Sequence, residues 1–232
     1  MAQDPAETLR QVHDAGYRAV ETAPLPPELT PRQLGILLRD LGLSVTAMHG
    51  DLPLGDRRAE VLDAAAELGA PRLIWHGWPR DPACDSLEGY RRLAERYAEA
   101  FLVAQEHGLQ FGLHNHWWEY EPIDGRYPYQ LLHQLLVPDL FFELDVYWVQ
   151  AAGLDPVRIV HELGSRITML HLKDGPAVHG QPMTPLGEGV VAIPAIIQAA
   201  PPSADLVVEL DECATHPMDA ARRSLQFLRR AG

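Results

Sequence analysis

The 232-residue sequence predicts an α/β protein of the (β/α)8 TIM-type barrel class, with seven strands recognisable. Three observations lead there. Short apolar, β-rich runs alternate with longer amphipathic stretches along the whole chain, the pattern of βαβ units around a parallel sheet. Several amphipathic stretches stop on a glycine just before the next run, at Gly42, Gly69 and Gly108, as helix ends commonly do. Ionisable residues gather at the C-terminal ends of the runs, the end where a parallel barrel assembles its active site.

The elements follow in order. A helix over residues 6–15 feeds a first strand at 17–21 (YRAVE), and the helical stretch PRQLGILLRDLG leads to a second at 44–49 (SVTAMH). RAEVLDAAAELG precedes the run 72–76 (RLIWH), and LEGYRRLAERYAEAFLVAQEHG precedes 109–116 (LQFGLHNH). Three more strands are expected at 140–145 (LFFELD), 167–173 (ITMLHLK) and 206–211 (LVVELD). A closed eight-stranded barrel needs one further strand, either before the first helix or as a weak one within 175–194. Seven strands alone leave two edges that must be covered or paired. The proline-rich spots PLPPELTP and APPSAD read as loops and helix starts. No low-complexity linker divides the chain, so a single domain over 1–232 is expected.

Composition narrows the functional classes. A 47% hydrophobic chain can bury a sizeable core. With 19 basic and 32 acidic residues the formal charge is −13, which disfavours nucleic-acid and anionic-membrane partners because both need clustered Lys and Arg. No apolar run approaches the length of a membrane span, and MAQDPAETLR lacks the apolar core of a signal peptide. Cys84 and Cys213 form no CxxC, so neither a disulfide framework nor a thiolate zinc site is expected. A cytoplasmic protein follows as the expectation.

Spacing carries the chemistry. Four runs end on ionisable pairs two residues apart, so both members point to one face: His114/His116, Glu143/Asp145, His171/Lys173 and Glu209/Asp211. His49 and His76 end two others, and Glu21 ends the first. Five of the eleven histidines thus sit at strand ends, while the other six fall in helices or loops. Taken singly, such residues commonly cap a helix or pair with Arg. Repeated at one topological position, they argue for a divalent cation, because imidazoles and carboxylates packed together are costly unless paired or metal-bound. Trp75, Trp78, Trp117, Trp118 and Trp148 cluster at or beyond the same ends. Trp75 reads as core; the others suit a pocket that stacks on the apolar face of a sugar ring.

The strings GYRAVE, LHNHWWEY, ELDVYWVQAAGLDP, HLKDG, PLGEGVV and VVELD resemble the xylose isomerase-like TIM-barrel superfamily, and within it the sugar phosphate isomerase/epimerase and inosose dehydratase-like proteins. The resemblance spans nearly the whole chain, in order. It implies a TIM-type barrel whose seven strands here are the second to eighth. It also implies one divalent ion, manganese foremost with magnesium, cobalt or zinc as alternatives. By position the metal ligands are Asp145, His171 and Glu209, with His114 in the first place and His116 its close competitor. Where the epimerases have a first glutamate this chain has histidine, which raises the dehydratase reading. Trp148 stands where the endonuclease branch has a metal-binding histidine, which argues against a DNA repair nuclease.

The roles expected for single residues follow from that resemblance and the spacing. Glu209 doubles as ligand and base, His116 moves a proton, Lys173 faces a developing oxyanion, and Glu119 grips substrate or serves as acid. Their bland counterparts are a salt bridge from Lys173 to Glu143 or Asp174, and an exposed loop carboxylate at Glu119. His49, His76, Trp118 and Trp148 are expected against substrate, and Glu143 and Asp211 behind the ligands. The chain lacks a Gly-rich loop with an adjacent basic residue opening a helix, so an unphosphorylated sugar or cyclitol is at least as well suited as a sugar phosphate. The expected activity is a metal-dependent keto-sugar isomerase or epimerase. The alternatives are an inosose or 3-keto-sugar dehydratase or lyase, and a non-catalytic sugar- or metal-binding barrel. A homo-oligomer is compatible with the resemblance, with no interface located.

Overall fold

The computed structural model describes residues 4–23 and 29–231, so part of the PLPPELTP loop, residues 24–28, lies outside the described residues. Seven parallel strands pair in sequence order: β1 (Ala19–Thr22), β2 (Ser44–Gly50), β3 (Arg72–Trp75), β4 (Gln110–His114), β5 (Phe141–Asp145), β6 (Ile167–Leu172) and β7 (Asp205–Val208). They curl into a nearly closed barrel. Between β1 and β7, which do not pair, a cleft of about 390 Å³ remains.

The helices form because capping signals and apolar stripes agree. In α1 (Pro5–Ala15), Asp4 accepts the Ala6 N–H, and in α2 (Pro31–Asp40), Thr30 and Gln33 form a reciprocal capping box. The same devices start α4 (Leu87–Glu106) with Ser86 and α7 (Pro156–Leu163) with Asp155. α3 (Arg58–Leu68) stops at Gly69, which is left-handed, and Gly42 and Gly108 turn left-handed just past α2 and α4, as expected. α5 (Pro128–Leu135), α6 (Val146–Ala151), α8 (Ile193–Ala199) and α9 (Pro217–Ala231) complete the shell. The strands end earlier than the sequence pattern suggests. His76, His116, Lys173, Glu209 and Asp211 fall just beyond them, because alternation continues into loops where ladder bonds have stopped. Among the described residues no strand lies in 175–194. That stretch carries only single bridges, Asp174 with Thr184 and Met183 with Cys213.

The barrel interior is layered by the two-residue period of its strands. Its apolar layer is Ala47, Ile74, Phe141 and Met169, with Val207 against it. Gly112 belongs to this layer: a Cβ there would lie 2.3 Å from the Phe141 ring, so only glycine admits that side chain. Below it, Arg72 on β3 reaches Asp205 at the start of β7 and ties the floor across the barrel. Two residues above the apolar layer stand His49, His114, Glu143, His171 and Glu209. Two further on come Asp145, Lys173 and Asp211. Outside the barrel, the larger apolar cluster packs the helices onto the sheet.

Candidate metal and catalytic centre at the barrel mouth

The strand-end residues meet in two tiers. In the deeper tier, His49 Nε2 lies 2.6 Å from Glu143 Oε2 and 3.0 Å from Glu21 Oε1. His114 Nδ1 reaches Glu143 Oε2 at 3.1 Å, while His171 Nε2 stands 2.6 Å from Glu21 and 3.1 Å from Glu143. In the upper tier, His171 Nδ1 is 2.8 Å from Glu209 Oε2 and His114 Nε2 is 4.0 Å from Asp145 Oδ2. Lys173 Nζ sits among three carboxylates, at 3.0 Å from Asp145, 2.6 Å from Glu209 and 2.9 Å from Asp211. His114 and His171 thus turn one nitrogen to each tier.

Position in the fold accounts for these contacts. The β5–β6 register sets Asp145 beside His171, and the β4–β5 register sets His114 beside Glu143. Asp145 also accepts the Trp148 N–H as the cap of α6, which fixes its carboxylate. Asn115, the middle residue of HNH, pins β4 to β5: its Oδ1 accepts the Asp145 N–H at 2.9 Å. Asp174 is fully buried and accepts the N–H groups of Gly175, Gly187, Gly189 and Val191. The GEG segment therefore folds around a side chain of its own chain. A Cβ on Gly189 would fall 2.1 Å from Asp174 Oδ1, so this approach requires glycine.

Electrostatics polarise the site. Burial opposes charge on His49, yet Glu143 and Glu21 hold its imidazolium up to about 9. His171 is likewise held well above the usual range, since Glu143 and Glu209 overcome its burial. Glu143 and Glu209 are correspondingly kept ionised against burial, the first chiefly by His171 and His49, the second by His171 and Lys173. His114 is depressed to about 4 and His116 to about 2, both chiefly by burial; both are neutral imidazoles at neutral pH. Burial also lowers the lysine's charged form, but Asp145, Glu209 and Asp211 prevail and keep Lys173 protonated.

Buried donor atoms crowded onto one another mark where a cation fits. Asp145 Oδ2, His171 Nδ1 and Glu209 Oε2 in the upper tier, and Glu21 Oε1 and Glu143 Oε1 in the deeper one, are all buried and meet only the charged groups of this cluster. Asp145, His171 and Glu209 each offer an atom within 4.8 Å of the others', and so do His49, His114, Glu143 and His171. The mixture of imidazole and carboxylate suits divalent ions.

The sequence profile of the xylose isomerase-like TIM barrel matches residues 9–231. The chain belongs to this family. No curated protein matches it. Among solved structures, this family member is similar to a sugar phosphate isomerase/epimerase from Parabacteroides distasonis ATCC 8503, at 22% identity and a TM-score of 0.78, over 98% of this chain and 88% of that one. An L-ribulose 3-epimerase gives 18%, 0.71, 97% and 87%. The probable 3-DHS dehydratase AsbF of petrobactin synthesis in Bacillus anthracis gives 19%, 0.72, 99% and 94%. At these identities the likeness concerns the fold.

Within the family frame, the expected ligands Asp145, His171 and Glu209 come together, with His114 at their edge. His116 is set back: its ring stacks on Trp118, with centroids 4.1 Å apart. Glu119 is not an exposed loop carboxylate. Its Oε2 accepts the His116 N–H at 2.9 Å, and burial pushes its carboxyl up to about 7; it braces the HNH segment. It also lines a small internal cavity of about 30 Å³ with His114, Cys84 and Tyr97. Lys173 pairs with Asp145, Glu209 and Asp211 rather than with Glu143 or Asp174. His76 lies apart from the cluster, its Nδ1 accepting the Trp78 N–H and its Nε2 3.7 Å from Asp51. Trp148 is buried beneath Lys173, whose Nζ is 5.7 Å from the ring centroid, and Trp118 is buried as well. Trp78 is 56% exposed and lies 6.0 Å from Trp118, so it is the tryptophan that presents a free face. Sequence reasoning placed Glu143 behind the ligands and left Glu21 without a role; both are central to the deeper tier.

Proposed function

We propose that the protein is a divalent-metal-dependent isomerase or epimerase acting on an unphosphorylated keto-sugar or cyclitol. The observation that carries this reading is the meeting of Asp145, His171, Glu209 and Lys173 at the barrel mouth, where three buried donor atoms lie within 4.8 Å of one another. Asp145 Oδ2, His171 Nδ1 and Glu209 Oε2 would hold the ion, with the His114 ring at their edge; manganese heads the candidates, then magnesium, cobalt and zinc. When bound, the ion supplies Lewis acidity to a ketose carbonyl and its neighbouring hydroxyl.

The protein's own groups supply the rest. Glu209, ionised at neutral pH, removes the proton α to the carbonyl. Lys173, kept as an ammonium, faces the oxygen that gains charge. Glu143 and Glu21 accept from the histidines and orient them, as carboxylates behind metal-bound imidazoles do. Neutral His116 returns or relays a proton, and Trp78 covers the apolar face of the ring. The amides of Gly187, Gly189 and Val191, the nearest approach to an anion-binding loop, already serve Asp174; this supports an unphosphorylated substrate.

One observation favours dehydration as a second reading: the chain carries neutral imidazole on β4 and in the following loop where an epimerase would place a second carboxylate. Such an imidazole, once protonated, could assist departure of a β-hydroxyl. Solvent exchange tests the shared step. In deuterated water with manganese, a panel of ketoses and inososes should give α-deuterium wash-in that stops on chelation and returns on re-addition. Glu209→Gln should slow it by roughly 10²–10⁴-fold. No exchange with any panel member would leave the protein as a sugar- or metal-binding barrel.

A further inference from the structure

We propose a second divalent-cation site in the deeper tier, formed by His49 Nε2, His114 Nδ1, Glu143 and Glu21, beneath the site at Asp145 and Glu209. Four features of the structure lead to it. Glu143 is fully buried, and its Oε1 has no hydrogen-bond partner although it lies 3.1 Å from His171 Nε2. Glu21 Oε1 is buried too and meets His49 Nε2. The imidazole nitrogens converge on these two carboxylates at 2.6, 3.0 and 3.1 Å. A tetrahedral site with bonds of about 2 Å separates its donors by roughly 3.3 Å, so small outward shifts of the side chains admit an ion.

Charge balance favours two ions over one. The upper tier carries Asp145, Glu209 and Asp211 against Lys173, a net −2; the deeper tier carries Glu21 and Glu143, also −2. One divalent ion in each tier neutralises the cluster with every histidine neutral. The tautomers agree with this arrangement. His171 Nδ1 faces the upper ion and its Nε2–H donates to Glu21 Oε2 at 2.6 Å. His114 turns Nδ1 to the deeper ion and directs its Nε2–H toward Asp145. The cleft between β1 and β7 also reaches this cluster: it is lined by Glu21, His49, His171 and Glu209. With two imidazoles and two carboxylates, the deeper site suits a borderline ion such as Co²⁺ or Zn²⁺.

This inference does not depend on the reaction proposed above. Cobalt is the probe. Chelator-stripped protein titrated with Co²⁺ should bind two equivalents, with visible absorption from the deeper ion. His49→Gln, and independently the near-isosteric Glu143→Gln, should each leave one equivalent and abolish that absorption. Asp145→Asn should also leave one equivalent but keep the absorption. Circular dichroism confirms that each variant is folded, and either glutamine variant suffices. No bound cobalt in the wild type, a single wild-type equivalent that Asp145→Asn abolishes, or wild-type stoichiometry in a folded glutamine variant, overturns the second site; the deeper carboxylates are then neutralised by protons on His49 and His171. Loss of only the Asp145-dependent equivalent leaves the second site standing and removes the proposed catalytic one.

Discussion

Lys173 shows most clearly how a single residue depends on its neighbours. Its side chain is 1% exposed and its ammonium is shared by three carboxylates. Replacing it with Met removes the cation and leaves Asp145 and Glu209 uncompensated, a change that costs on the order of 3–5 kcal/mol for buried pairs. Urea denaturation of metal-free Lys173→Met should therefore show a lowered midpoint, partly restored by a divalent ion; an unchanged midpoint would mean the three carboxylates do not need the lysine. His49 gives a pH prediction. Its pKa is raised from 6.5 to about 9, so its contribution is complete below about pH 6.5 and is lost as pH rises through 9. For one such shift the loss is on the order of 3 kcal/mol in metal-free protein, and His49→Gln should flatten that limb. Divalent-ion affinity should run the other way, rising with pH as protons leave the ligands.

At the level of elements, the loop after β6 is built around Asp174. Asp174→Ala would strand the amides of Gly187, Gly189 and Val191, each unmet buried group costing about 1–3 kcal/mol. The variant's 175–191 segment should become protease-sensitive while β2–β5 stay protected, and a uniformly resistant loop would contradict the account. Arg166 plays a comparable part on the outside, donating to the carbonyls of His133, Leu136, Val137 and Leu140 to seal the turn before β5. Neither device was legible in the sequence, because an aspartate or arginine beside a strand looks the same whether it meets solvent or backbone. The seven strands and their order were legible, since βαβ alternation and glycine stops are local signals. Spacing singled out the pairs Glu143/Asp145, His171/Lys173 and Glu209/Asp211, and the family resemblance picked Asp145, His171 and Glu209 from them. What spacing left open was depth. Residues two apart share a face but need not share a tier, and only the side-chain contacts show that Glu143 belongs with His49 while Asp145 belongs with Lys173. The burial of Glu119 was not legible for a related reason: a carboxylate after a strand end can turn inward to meet a backbone N–H as readily as outward to solvent.

For the whole molecule, the open seam is the distinguishing feature. The facing edges of β1 and β7 have a ladder partner on one side only, whereas β3–β5 are paired on both. Local opening free energies fall where protection is one-sided, so amide exchange should be faster in β1 and β7 than in β3–β5, and uniform protection would show that the cleft is closed in solution. The layered interior explains how the barrel persists regardless: the apolar plug and the Arg72–Asp205 tie hold the floor, leaving the mouth free to concentrate charge. No helix among the described residues is long and apolar enough to cross a membrane. The central claim is that this charge exists to hold a cation. An anomalous difference map from crystals soaked in Mn²⁺ tests it most directly: the account predicts a peak bounded by Asp145, His171 and Glu209, with Lys173 turned toward Asp211. A featureless map, with Lys173 still bridging Asp145 and Glu209, would show a self-neutralised ionic network in place of a metal centre.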